Sequence, residues 1–207
     1  VTMAADFLGE LLRLLSDLGV EESTIVFVTS DNGGPAGGEK GFDFFQSNGS
    51  LRGEKGELYE GGIRVPLVVR WPGRVRAGTV CRTPYAFCDF LPTAAELAGI
   101  AKLPQHDGVS LVPELTGGQA PARDYLYWEH HTYNFEKQAL RPGSFAQAAR
   151  FGPWKAIRTA PGKAVELYNL ESDPGEARDV SASQTVLVRK AEGILRAAHA
   201  EPRPHRL

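Results

Sequence analysis

Little in this chain is strongly biased, and each shortage removes a class of function. It has two cysteines, Cys81 and Cys88. They belong to no CxxC pair and no ligand cluster, which disfavours zinc. A short-loop disulfide competes with two buried free thiols, and buried thiols are the expectation. Neither sign of charge dominates: 23 Lys+Arg face 25 Asp+Glu, for a formal net charge of −2. A nucleic-acid binder needs a basic face. No apolar run approaches the roughly 18 residues of a membrane-spanning helix, and no signal-peptide pattern or initiator methionine opens the chain. Neither nucleic acid nor membrane is therefore an expected partner. Glycine and proline are plentiful, at 23 and 14 residues. They fall mostly between the periodic segments, so long loops are expected. With 207 residues, 42% of them hydrophobic, the chain can bury a sizeable core in one large domain or two small ones.

Ala4, Phe7, Leu8, Leu11, Leu12, Leu15 and Leu18 recur at helical spacing, and Gly19 is placed to end that helix. A helix that begins with the chain suggests a piece of something longer. Residues 24–29 are a continuous β-branched and aromatic run, which fits a central parallel strand covered on both faces. Helix, short loop and strand make an α/β unit. A second strand is expected over residues 65–71. A further helix is expected over 89–98, with Asp89 as N-cap, Pro92 in its first turn and Gly99 as its stop. Residues 99–122 read as a linking segment. Strand-like runs at 125–128, 145–150, 154–159 and 165–169 then suggest an antiparallel sheet. Asp173-Pro174-Gly175 marks a turn. Val186, Leu187, Lys190, Ala191, Ile194, Leu195 and Ala198 mark an amphipathic helix, and the tail 201–207 is expected to fray. The domain reading is 1–120 and 121–207.

In open α/β sheets, ligands bind beyond the carboxyl ends of strands. Ser30, Asp31 and Asn32 follow such a strand. Asp31 and Asn32 offer a carboxylate and an amide oxygen, hard donors that suit Ca²⁺ or Mg²⁺. Taken alone, an Asp-Asn-Gly turn after a strand is the favoured reading of these residues. Lys55 lies between Gly53 and Gly56, which let the backbone approach a small anion. Glu60 and Arg64 are read as a structural ion pair that shapes their loop.

The combination is more specific than its parts. SDNGG at 30–34, then FFQSNGSLRGEKGELYEGGIRVPLVVRWPG at 44–73, resembles the sulfatase family in its arylsulfatase-like, formylglycine-dependent branch. Cys88-Asp89-Phe90-Leu91-Pro92-Thr93 through Leu97-Ala98-Gly99-Ile100 and Asp107-Gly108-Val109-Ser110-Leu111 carry the likeness further. Tyr125 to Glu129, Trp154-Lys155-Ala156-Ile157-Arg158, Glu166-Leu167-Tyr168-Asn169-Leu170 and Asp173-Pro174-Gly175-Glu176 extend it to the C-terminal part. The resemblance implies an α/β fold: part of an alkaline-phosphatase-like sheet-and-helix domain plus a small C-terminal antiparallel sheet with a packed helix. It implies Asp31 and Asn32 as ligands of a divalent cation, Ca²⁺ before Mg²⁺, and Lys55 as the group on a sulfate oxygen. It further implies a sulfated small molecule or sulfated glycan as substrate and a periplasmic or secreted location. A phosphodiesterase or phosphatase of the same superfamily and a non-catalytic glycan- or partner-binding relative are the alternatives.

The family's nucleophile is a formylglycine made within a C/S-x-P/A-x-R motif, which this sequence lacks. Cys81-Arg82-Thr83-Pro84-Tyr85 has its proline one place late and Tyr85 in place of arginine. Two further aspartate ligands expected from the family also have no counterpart. The chain is thus read as the C-terminal half of a sulfatase, inactive alone and weak in Ca²⁺ affinity. Where relatives carry a histidine in a G-G-H segment, this chain has Gly37-Gly38-Glu39-Lys40. His130 and His131 are read as exposed loop residues, left outside the catalytic set. Ile25, Phe27 and the apolar face of the first helix are expected to lack partners.

Overall fold

The computed structural model describes residues 2–35, 45–119 and 121–200. The tail 201–207 and the Gly37-Gly38-Glu39-Lys40 loop lie outside them. Two compact units form: Val1–Thr29 with Pro66–Ala122, and Ser30–Val65 with Arg123–Leu207. Ser30–Val65 therefore packs with the C-terminal residues rather than with its neighbours in sequence.

In the first unit, α1 spans Thr2–Asp17. Gly19 ends it at φ +68°. Its N–H donates to the Ser16 carbonyl (3.0 Å) and that of Val20 to Leu15 (3.1 Å), which satisfies the last carbonyls. The apolar stripe that runs along α1 to Leu18 stays open: Phe7 is 62% exposed and Leu18 64%. β1 (Val26–Thr29) pairs with β2 (Leu67–Arg70) in antiparallel register, Val26 opposite Arg70. The expected parallel, doubly covered strand is corrected on both counts, since neither strand has a buried residue. A continuous apolar run specifies a strand but not its partner. Phe27 does find a neighbour, the Phe90 ring edge-on at 5.6 Å.

A 3-10 turn (Phe87–Asp89) leads into α2 (Phe90–Leu97). Asp89 does not cap this helix through its side chain. The fully buried carboxylate instead accepts the Ala86 and Val109 backbone N–H groups, each at 2.8 Å. Thr93 Oγ1 accepts the Leu111 N–H at 2.9 Å. A Cβ on Gly108 would stand 2.0 Å from the Cys88 carbonyl oxygen, so only glycine fits there. The supposed linker is thus bonded to α2, and it carries a helix of its own, α3 (Val112–Leu115). Cys81 and Cys88 are thiols, as expected, but exposed rather than buried. Cys81 Sγ lies 2.5 Å from a Glu114 carboxylate oxygen.

The second unit is a sheet covered on both faces. α4 (Glu60–Ile63) precedes the strands β3 (Leu126–His130), β4 (Tyr133–Asn134), β5 (Ala139–Leu140), β6 (Ala146–Phe151), β7 (Trp154–Arg158) and β8 (Glu166–Asn169). The main sheet runs β3-β6-β7-β8 and is antiparallel throughout, as the short strand-like runs suggested, and β4-β5 is a separate hairpin. Successive side chains along a strand point to opposite faces. Ala149, Phe151, Ala156 and Leu167 meet Ala191 and Leu195 of α5 (Thr185–Ala198) on one face. Ala148, Ile157 and Tyr168 meet Leu58 and Tyr59 on the other. That second face holds the 58–63 segment, and through it the loops before it. No described helix is long and apolar enough to cross a membrane.

Candidate active site

The turn bearing Asp31 and Asn32 is clasped by backbone. Gly33 N–H donates to the Gly62 carbonyl at 2.9 Å, and Lys55 N–H donates to the Gly34 carbonyl at 3.0 Å. Asn48 bridges the same layers: its Oδ1 accepts the Gly34 N–H (2.8 Å) and its Nδ2 donates to the Gly53 carbonyl (2.9 Å). A Cβ on Gly33 would fall 1.7 Å from the Gly61 carbonyl oxygen, so backbone touches backbone there. The residues singled out in sequence are thereby brought onto one clasp. Asp31 and Lys55 are exposed and Asn32 is half-buried. Asp31 Oδ1 accepts the Asn32 N–H at 3.0 Å, and Asn32 Nδ2 donates to the Gly33 carbonyl at 3.0 Å. The amide's donor side is thus turned to backbone.

These two residues fit a hard cation in donor type. They supply only part of the roughly six to eight oxygens that Ca²⁺ takes. Among the described residues, no group of three or more His, Cys, Asp and Glu is arranged to hold a metal ion.

Arg52 ties the lysine loop to the sheet. Its guanidinium lies 3.9 Å from the Tyr59 ring centre. It donates to Tyr168 Oη (2.9 Å), the Glu176 carbonyl (3.0 Å) and Tyr59 Oη (3.1 Å). Both phenols donate to Glu166 Oε2 at 2.7 Å. Burial, then that bond to the carboxylate, pushes both phenol pKa values above the ordinary tyrosine range.

Glu60 and Arg64 do pair, at 3.5 Å. The stronger partner of Glu60 is one that sequence reasoning missed: Lys155, wholly buried, lies 2.9 Å from Glu60 Oε1 and 3.0 Å from Glu176 Oε1. Glu176 Oε2 accepts the Glu60 N–H at 2.6 Å. Burial raises the Glu176 pKa, and the charge of Lys155 opposes that rise. One signal in the sequence pointed to this lysine: it shares strand parity with Ile157, on a face that is apolar. His130 closes β3 rather than standing in a loop. His131 follows it, with Nε2 3.3 Å from the Arg141 carbonyl oxygen.

Comparison with known proteins gives the family. The Sulfatase family model matches residues 2–100, and the model for N-sulphoglucosamine sulphohydrolase, C-terminal, matches residues 53–193. The chain belongs to the sulfatase family. Among curated relatives it is similar to mouse (Mus musculus) steryl-sulfatase, 34% identical over 96% of this chain and 35% of that protein. It is also 32% identical to dog (Canis lupus familiaris) N-acetylgalactosamine-6-sulfatase, over 86% of this chain and 37% of the relative. The chain thus spans about a third of the length of these relatives. Among solved structures it is similar to Ps i-CgsB in complex with k-i-k-neocarrahexaose: TM-score 0.75, 29% identity, 92% of this chain and 39% of that one. It is likewise similar to the phosphonate monoester hydrolase of Agrobacterium radiobacter: TM-score 0.70, 27% identity, 93% of this chain and 39% of that one. The α/β, alkaline-phosphatase-like fold class follows from these likenesses.

Proposed function

We propose that this chain carries part of the active site of a sulfuric ester hydrolase. In this reading Asp31 and Asn32 are oxygen ligands of a divalent cation, calcium before magnesium, and Lys55 contacts a sulfate oxygen. The observation that carries it is the backbone clasp holding the 31–34 turn and Lys55 together, in a member of the sulfatase family. A bound cation supplies charge neutralisation at the transferring group and lowers the pKa of a coordinated hydroxyl. Lys55 adds a second positive charge against the developing negative charge on the sulfate oxygens. Asp31 also accepts the proton of the attacking hydroxyl. The formylglycine of the family is assigned to residues outside this chain, because no C/S-x-P/A-x-R segment occurs in it. The substrate class is a sulfate ester of a small molecule or a glycan. The names of the steryl- and N-acetylgalactosamine-6-sulfatase relatives support both.

The test is hydrolysis of 4-nitrophenyl sulfate in CaCl₂. The isolated chain gives no turnover above background, and robust turnover by it refutes a nucleophile outside the chain. In a polypeptide where a sulfatase N-terminal portion precedes this segment, Lys55→Ala lowers kcat/KM by about 100-fold or more. Wild-type kcat/KM in that variant refutes the role of Lys55. The likeness to a phosphonate monoester hydrolase favours a second reading, transfer at phosphorus. A 4-nitrophenyl phosphonate ester hydrolysed faster than the sulfate selects it.

A further inference from the structure

The buried charges of the second unit are not in the clasp, yet they touch it through one short helix. We infer that Lys155, Glu60 and Glu176 form a positioning device for the Asp31–Asn32 turn and the Lys55 loop, acting through the backbone of α4. This rests on the proposed role of that turn as a cation and sulfate site.

Glu176 grips Glu60 twice, at the backbone N–H (2.6 Å) and, across Lys155, at the side chain (2.9 and 3.0 Å). Two residues on, the Gly62 carbonyl accepts the Gly33 N–H at 2.9 Å, and Gly61 N–H donates to the Arg52 carbonyl at 2.6 Å. No side chain cushions these contacts. A Cβ on Gly61 would stand 2.3 Å from the Gly53 carbonyl oxygen, and one on Gly62 would stand 2.2 Å from that of Glu57. A displacement of Glu60 therefore passes to Gly33 and the Lys55 loop through rigid main chain. Charge balance keeps Glu60 in place. One buried lysine faces two carboxylates, and the half-exposed Arg64 offsets the remaining charge at 3.5 Å. Removing the lysine leaves two buried carboxyl groups without the cation that joins them, and the movable partner is the four-residue α4. Ala149 and Leu195 lie on the opposite face of the sheet, away from α4.

Amide hydrogen exchange on the whole chain, resolved by NMR, tests this. Lys155→Met keeps the stem and removes the charge. We expect the Gly33 and Lys55 amides to exchange about tenfold faster or more, with Ala149 and Leu195 unchanged. Glu176→Gln is the milder variant, should Lys155→Met not fold, and accelerates the same two amides to a smaller degree. Unchanged Gly33 and Lys55 rates overturn the inference. So do rates that rise together at all four amides, or failure of both variants to fold, because the cluster is then a general staple. In parallel, CaCl₂ alone is titrated against the Asp31 and Asn32 amide signals. We expect a saturable shift whose midpoint rises about tenfold in Lys155→Met, and an unmoved midpoint overturns the device. No shift in the wild type refutes the cation reading, while the exchange rates still decide the positioning role.

Discussion

Gly33→Ala is the sharpest perturbation of the clasp. Gly33 does not sit at positive φ, so alanine is acceptable to its backbone and the effect is purely steric. The new Cβ falls 1.7 Å from the Gly61 carbonyl oxygen and 2.8 Å from its carbon, where real contacts stay beyond 3.0 Å. Both neighbours are backbone, so no rotamer change relieves the clash. The turn must retreat, stretching the 2.9 Å bond from Gly33 N–H to Gly62. Overpacking costs about 1–3 kcal/mol and the lost hydrogen bond about 1 kcal/mol. The stiffer unfolded chain returns about 0.5–1 kcal/mol. The expected net loss is about 2 kcal/mol, read from urea denaturation at constant m-value. Gly9→Ala is the control. It lies within α1 with nothing within 4 Å of its added Cβ, and is expected to stabilise by about 0.5–1 kcal/mol. A Gly33→Ala loss below about 0.5 kcal/mol, the scale of ordinary surface substitutions, refutes the reasoning.

Asp89→Ala leaves two half-buried N–H groups, of Ala86 and Val109, without their acceptor. It is expected to cost about 2–4 kcal/mol by denaturation, and a change under about 0.5 kcal/mol contradicts the buttress role. Asp179 predicts a pH dependence. Burial raises its pKa, but the Leu167 and Ser181 N–H groups, at 3.0 and 2.8 Å, outweigh that and hold it below the ordinary carboxylate value. Its stabilisation is present above the unfolded pKa and lost as pH falls through the folded one. The deficit of Asp179→Asn is therefore largest near neutrality and shrinks in acid; a deficit that grows in acid reverses the sign. Lys55→Ala removes an exposed side chain and leaves the backbone bond to Gly34 intact. Its denaturation midpoint is expected to match wild type, so a large shift there assigns Lys55 a structural role.

The C-terminal sheet is legible in sequence because Ala148, Ala149, Ala156, Ile157, Leu167 and Tyr168 alternate between two apolar faces. The closing helix is legible for the same kind of reason, at a period of 3.6. Lys155 is not legible from propensity. A lysine in a strand reads as the member facing water, and its partner Glu60 lies 95 residues away. Asp89 reads as a cap because it stands before a helix, but Val109, 20 residues later, brings a competing donor. The 24–29 run misleads because β1 and β2 leave much of their surface open, and apolar composition alone does not choose a neighbour. Asp31, Asn32 and Lys55 stood out by residue type. What joins them is carbonyl and amide geometry around Gly33, Gly34 and Gly62, which a string of side chains does not display.

The separation of Glu60 from Lys155 also has a meaning in time. A ribosome adding about 5–20 residues per second releases Glu60 some 5–20 s before the lysine 95 positions later. Glu176 follows later still, 116 positions after Glu60. Until then α4 has only Arg64 as a counter-charge and no sheet to rest on. The segment proposed to hold cation and sulfate is thus made early and finished late. That interval is when proteases and chaperones meet it as open chain.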